Sequence, residues 1–504
     1  MVSCIHSAGL HCLEGFVVHV EVDVSNGLPG TDLVGFLGSE VKEAKERVSV
    51  AIRNSGFDLP PKRIVMNLSP AGVRKSGTGY DFPMAVGILQ AMGVFDAKAT
   101  EGAAFIGELN LNGQLCPVNG ILPLVLAAKK AGYLKCFIPK DNAGEAGVIQ
   151  GVTVYPLSTL KETVACLLGQ TEVMPISGTA DDVKSGSKES GLDLKNVQGQ
   201  TFARRGLEIA ASGMHNLLLM GPPGAGKTML SKCIPSIMPP LTMEECLEVS
   251  SIYSVAGKLA QHSLITERPF VSPHHTVTGI ALSGGGVNAK AGLVALAHKG
   301  VLFLDEMPEF QRKTLEILRQ PLEERRMIVS RNGGNYVYPA DFMLVGAMNP
   351  CPCGMYPDLS RCSCTTNERK RYMERLSKPL MDRMDLCVEV SNMKYEDLMN
   401  KSEQESSEQV RKRVIRAQNI QRSRFCEARF NSSMNNEEVE KYCLLSEGGR
   451  QILEKAFDKF RLTARSYHRI LKVSRTIADL AGSDLIQNEH LVEALCFRLP
   501  DYQL

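Results

Sequence analysis

The sequence contains no apolar run of the ~18 residues that a bilayer-spanning helix requires, so no helix is expected in a membrane. Its first residues, MVSCIHSAGLHC, carry neither the basic start nor the apolar stretch of a secretory signal. Both absences point to the cytoplasm, where fifteen cysteines stay reduced and act as small buried hydrophobes or metal ligands. Charge of one sign is also lacking: 57 Lys and Arg stand against 55 Asp and Glu. Affinity for nucleic acid therefore has to come from local basic surfaces.

At 504 residues the chain is too long for one core, and roughly 150 residues per domain suggests about three. The clearest break is 171–190, TEVMPISGTADDVKSGSKES, which is polar and reads as a linker. Before it, residues 17–24 alternate like a half-buried strand. Further β-rich runs at 64–68, 103–111, 136–139 and 152–155 are separated by helical patterns at 82–92 and 122–131. That mixture predicts an α/β domain over 1–170. After the linker, three runs at 216–220, 300–304 and 341–348 are apolar apart from Asn216 and Asp341 at their starts, as parallel strands covered on both faces are. They predict a second α/β unit over 191–391, followed by a helical region over 392–504. There Val410, Val414, Ala417 and Ile420 form an apolar stripe on an otherwise basic helix.

The run 216–220 leads straight into GPPGAGKT, residues 221–228, and then a helical pattern. Gly221, Gly224 and Gly226, with Pro222, Pro223 and Ala225 between them, let backbone N–H groups turn toward phosphate oxygens, and the helix N-terminus adds a favourable dipole. Lys227 is placed to reach the β- and γ-phosphates and Thr228 to ligate Mg²⁺, so ATP and Mg²⁺ are the expected cofactors. The run 300–304 ends in Asp305–Glu306, where Asp305 suits a hold on Mg²⁺ and Glu306 suits activation of the attacking water. Asn349, at the end of 341–348, is a candidate to orient that water.

Cys351, Cys353, Cys362 and Cys364 put four thiolates on one short stretch, a set that suits structural tetrahedral Zn²⁺ despite a spacing unlike the common C-x₂-C knuckle. Residues 327–339, MIVSRNGGNYVYP, read as a hairpin around Asn332–Gly333–Gly334. In it Arg331 is a candidate phosphate contact, and Tyr336 or Tyr338 a stacking group.

Together GPPGAGKTML, PHHTVTGIALSGGG, LAHKGVLFLDEMPEF, AMNPCPCG, LMDRMDL and TARSYHRILKVSRTIADLA resemble the magnesium-chelatase-like AAA+ ATPases of the ComM type, in order and over nearly the whole chain. The resemblance implies a ring, a hexamer, with Arg383 acting as an arginine finger in the neighbouring subunit's site and Arg465 folding a helical lid onto the nucleotide. It also implies DNA as partner and a helicase-like activity, branch migration in homologous recombination during natural transformation. Where that family reads PGEISLAH, this chain has Leu293 in place of the acid. The N-terminal segments NLSPAGVRKSGTGYDFPMAVGIL and GELNLNGQLCPVNGILPLVLAAKKAGYLKCFIP resemble the proteolytic domain of Lon. That resemblance sets Gly79 where the nucleophilic serine belongs and Leu122 and Leu124 at the lysine segment, which implies an inactive protease-like domain. Two alternatives stay open: a chelatase motor subunit that drives metal into a porphyrin, and an ATP-switched scaffold. A Lon-like domain and the cysteine cluster weigh against the first, and a complete hydrolytic set against the second.

Overall fold

The computed structural model describes residues 2–177, 192–259, 264–286, 290–331, 334–391, 404–427 and 429–498. Residues 178–190 of the expected linker lie outside them. The chain divides into two units, Met1–Ser187 with Met243–Thr266, and Lys188–Thr242 with Glu267–Leu504. The helix Met243–Val255 therefore belongs to the first unit, although the sequence placed it within the 191–391 stretch. It is held there by the Gly120 amide, which donates to the Ser254 carbonyl at 3.1 Å.

The first unit is built on a seven-stranded mixed sheet in the order Gly30–Val34, Arg63–Ser69, Glu14–Ser25, Val2–His11, Ala103–Phe105, Lys135–Pro139, Thr153–Leu157. The predicted strand 103–111 stops at Phe105; Glu108–Leu109 instead pairs with Leu115–Cys116. The chain turns away at Gly107, whose amide donates to the Gly79 carbonyl at 3.1 Å. Helix Asp81–Ala91 is buried at every position, which its nearly continuous apolar sequence requires. Of the residues set at the protease positions, Leu122 and Leu124 are buried apolar groups. Lys75 is buried with its ammonium on the Pro70 carbonyl, whereas its neighbour Ser76 is exposed.

The second unit holds a five-stranded, all-parallel sheet in the order Phe270–Val271, Val301–Leu304, Met343–Met348, Leu217–Met220, Leu386–Glu389. The three strands expected from sequence stand side by side at its centre. The outer two are short additions, one of only two residues. The C-terminal helices share one core with this sheet. Helix Ser407–Phe425 packs Val410, Val414 and Ala417 inward, but the expected stripe does not continue to Ile420, which is 40% exposed. At ~100° per residue, position 421 returns to the face that Val410 occupies and position 420 falls about 80° off it. Gln421 is thus the buried residue, donating to the Ser212 carbonyl at 3.0 Å, and Gln418 donates to the Ala211 carbonyl at 2.9 Å. Both satisfy carbonyls that helix Thr201–Gly213 leaves unbonded at its end.

Candidate ATPase site and cysteine knuckle

The central strands of the second unit end together, and the loops leaving them enclose a cavity of about 610 Å³. Its lining includes Pro223, Gly224, Ala225, Gly226, Lys227 and Thr228 from the glycine loop, together with Asp305, Glu306 and Asn349. A ligand at the C-terminal ends of parallel strands is the usual arrangement in open α/β sheets. The glycines have separate reasons. Gly224 and Gly226 take φ of +77° and +89°, open to glycine at little cost. Gly221 is excluded from any larger identity by proximity, since a Cβ there would lie 2.1 Å from the Val390 carbonyl oxygen.

Lys227 opens helix Lys227–Lys232, and its ammonium donates to the carbonyls of Gly221 at 2.7 Å and Pro222 at 2.9 Å and to Asn349 Oδ1 at 3.1 Å. Burial lowers its pKa, while Asp305 and Glu306 pull in the opposite direction and favour the charged form. The Thr228 hydroxyl donates to Asp305 Oδ2 at 2.8 Å, which brings two hard oxygen donors together beside the phosphate loop. This pair fits Mg²⁺. Glu306 sits at φ +49°, a left-handed conformation that costs a non-glycine residue about 1–2 kcal/mol. Its carboxylate lies 3.9 Å from His275 Nδ1. Strain of this kind concentrates where a side chain must be aimed.

Three residues at this site were not singled out by sequence. His275 follows the two-residue strand Phe270–Val271, too short to show a period, and only that strand's pairing beside Val301–Leu304 brings it near Glu306. Tyr372 and Glu309 line the cavity. Burial pushes the Tyr372 phenol up to about 12, and it is hydrogen-bonded to the Asn349 backbone.

Neither predicted arginine lines this cavity. Arg383 has its guanidinium on the Glu323 carboxylate and the Pro379 carbonyl, with only 11% of the side chain exposed. Arg465 is exposed on the first turn of helix Ala464–Ala481. One turn further on, Arg469 binds the Met384 carbonyl at 2.5 Å, so it is the arginine of that helix that grips the sheet region.

The four cysteines converge. The Cys351, Cys353 and Cys362 sulfurs lie 3.4, 3.8 and 3.6 Å apart pairwise, and all four sulfurs fall within 4.8 Å of one another. A tetrahedron with metal–sulfur bonds of ~2.3 Å has sulfur–sulfur edges of about 3.8 Å, so the set fits Zn²⁺. The Met355 backbone lowers the Cys353 thiol while its neighbouring sulfurs raise Cys362 and Cys364, so an ion binding here has to displace protons from the set. The knuckle also touches the phosphate loop. Gly354 is packed so closely that an added Cβ would lie 2.4 Å from Pro223 Cδ, and Pro352 lines the cavity itself.

The hairpin forms as predicted, Arg326–Arg331 pairing antiparallel with Gly334–Pro339. Its turn residues 332 and 333 and the Arg331 side chain lie outside the described residues. Tyr338 is buried at 2% exposure and unavailable for stacking on a base, while Tyr336 is half-buried. Half of the basic helix's cations are paired: Arg413 with Glu208 and Glu405, Lys412 with Glu408, and Arg424 with Asp479.

A family model described as magnesium chelatase, subunit ChlI, matches residues 193–398. Models for a subunit ChlI of Mg-chelatase and for the ChlI C-terminal region match 20–142 and 404–498. The competence protein ComM of Haemophilus influenzae is 43% identical over 96% of this chain and 94% of its own length. The chain belongs to the magnesium-chelatase-like AAA+ family. Membership implies ATPase activity and accounts for the strand–loop–helix around Lys227. Another relative, YifB of Escherichia coli K12, is 39% identical over 99% of this chain and 97% of its own. The Lon protease of Mycolicibacterium smegmatis is 29% identical over 31% of this chain and 21% of its own length, in keeping with the Lon-like character of the N-terminal region. No helix among the described residues is long and apolar enough to cross a membrane.

Proposed function

We propose that the chain is a cytoplasmic ATP-driven motor that moves branched DNA during homologous recombination, including the recombination of incoming DNA in natural transformation. The observation that carries the hydrolytic part is the convergence, in one cavity, of Lys227, the Thr228–Asp305 pair, Glu306 and Asn349. The DNA part rests on the likeness to a protein named for competence, supported by the hairpin Arg326–Pro339.

Backbone amides of 221–228 and the Lys227 ammonium bind the triphosphate; Lys227 leaves its carbonyl tethers to do so. Thr228 and Asp305 would hold Mg²⁺, which neutralises charge on the phosphate oxygens. Glu306 accepts the proton of the attacking water, and Asn349 orients that water. His275, beside Glu306, holds the carboxylate before it turns to the water. Arg383 leaves Glu323 to reach the γ-phosphate of the adjacent subunit in a ring of six, and Arg465 draws the helical region over the nucleotide. Cys351, Cys353, Cys362 and Cys364 would hold a structural Zn²⁺ that stiffens the wall behind Pro223.

The test is ATP hydrolysis by the purified ring with and without forked or four-way DNA. Stimulation by DNA, abolished by Lys227→Ala, is expected; a ring that hydrolyses ATP and ignores every DNA structure sinks the DNA reading. The family descriptions favour a second reading, a chelatase motor. Because one of them covers 20–142, the N-terminal unit does not separate the two readings. Insertion of Mg²⁺ into a porphyrin with partner subunits would establish it.

A further inference from the structure

The first unit carries a second group of metal-ligating side chains that neither the ATPase site nor the cysteine knuckle uses. Along Val2–His11, Ser3, Ile5 and Ser7 are buried, while Cys4 is exposed and His6 half-buried. Along Glu14–Ser25, Val18, Val20 and Val22 enter the core, and His19 and Glu21 are half-buried between them. The antiparallel register sets His6 opposite His19 and Cys4 opposite Glu21. Because side chains alternate with a period of two, these four residues form one patch on the face opposite Ser3, Ile5, Ser7, Val18, Val20 and Val22.

Within that patch, His6 Nδ1 and His19 Nδ1 are 2.9 Å apart with the rings at 85° to each other. The Cys4 sulfur lies within 4.8 Å of a nitrogen of each. A tetrahedral zinc ion with ~2.0–2.1 Å bonds to nitrogen and ~2.3 Å to sulfur needs ligand–ligand edges of about 3.3–3.6 Å, so adjustments within the side chains suffice. The strand pairing already supplies the backbone placement. Tyr133 stacks on His6 at 4.6 Å between ring centroids, which limits the ring's freedom. Glu21 is in turn held by Asn67 Nδ2 at 2.9 Å.

The geometry points to a three-ligand metal site in which Cys4 Sγ, His6 Nδ1 and His19 Nδ1 hold one divalent ion of the zinc class and leave its fourth position to water. Two imidazoles and a thiolate are borderline-to-soft donors, which select Zn²⁺ over Mg²⁺ or Ca²⁺. Binding displaces the Cys4 thiol proton. The ion would pin Val2–His11 to Glu14–Ser25.

The full-length protein is stripped of metal with a chelator, reloaded with Zn²⁺ and assayed for bound metal alongside Cys4→Ser and His19→Thr. Each variant is expected to hold one equivalent fewer than the unsubstituted chain, whatever the knuckle at 351–364 contributes, since both keep the knuckle. Equal metal content in folded variants overturns the site. A reading that does not depend on variants comes from the unsubstituted protein. Zn²⁺ should slow alkylation of Cys4 by iodoacetamide about tenfold and protect His6 and His19 from diethylpyrocarbonate, read peptide by peptide. Exposed Cys426 and Cys496 should react at unchanged rates. Equal reactivity of Cys4, His6 and His19 with and without Zn²⁺ overturns the proposal.

Discussion

Replacing Gly354 by alanine tests whether the knuckle and the phosphate loop act as one wall. Gly354 takes φ +79°, which costs an alanine about 1–2 kcal/mol by itself. The new Cβ would also lie 2.4 Å from Pro223 Cδ and 2.9 Å from Pro223 Cγ. The proline ring is fixed to the backbone, so restoring ordinary contact displaces the loop or the knuckle by about 1 Å. A shift of that size in an element that positions phosphate is expected to weaken ATP binding about tenfold, or ~1.4 kcal/mol. Gly132→Ala provides the comparison, since it takes φ +91° with no atom within 4 Å of its Cβ and so bears the backbone cost alone. The assay is fluorescent-nucleotide affinity together with the rise in melting temperature on adding ATP. Gly354→Ala should lose part of that rise and Gly132→Ala keep it. Equal nucleotide affinity in both variants and the unsubstituted chain would falsify the coupling.

Glu306→Gln should retain ATP binding and lose hydrolysis by about 10²–10⁴-fold, the worth of a general base; unchanged turnover under saturating ATP would remove Glu306 from that role. Arg383→Ala should lower turnover by roughly 10³-fold or more, as loss of an arginine finger does. Mixing it with Lys227→Ala subunits should restore activity, because each supplies what its neighbour lacks; absence of rescue would place the arginine's action within its own subunit. Gly221→Ala forces a Cβ to within 2.1 Å of the Val390 carbonyl and should lower the melting temperature of the second unit by several degrees, read by differential scanning calorimetry.

What could be read from sequence was what is local. The three central strands, the glycine loop and the acid pair each occupy a contiguous stretch whose residue types suffice to identify it. The paired cysteines and the hairpin were legible for the same reason. The departures have physical causes. Ile420 was placed on the buried face because a stripe of apolar residues was followed by type, whereas the helical period selects Gln421, whose amide is needed by a neighbouring helix end. Tyr338 is buried because what covers one side of the hairpin is set by tertiary packing, which its own residues do not encode. The opening residues were read only as lacking a signal, although they form the long strand that brings Cys4 and His6 to His19.

By itself the sequence determined a glycine loop between a strand and a helix, an acid pair at a strand end, a four-thiol cluster and an α/β pattern on either side of a polar break. Tertiary structure alone decided that Met243–Val255 belongs to the first unit, that His275 faces Glu306, and that Gly354 presses on Pro223. It also set Arg383 on Glu323 rather than in its own cavity. Such contacts join residues tens to hundreds of positions apart. They follow from strand order and close packing, which no single stretch of chain encodes.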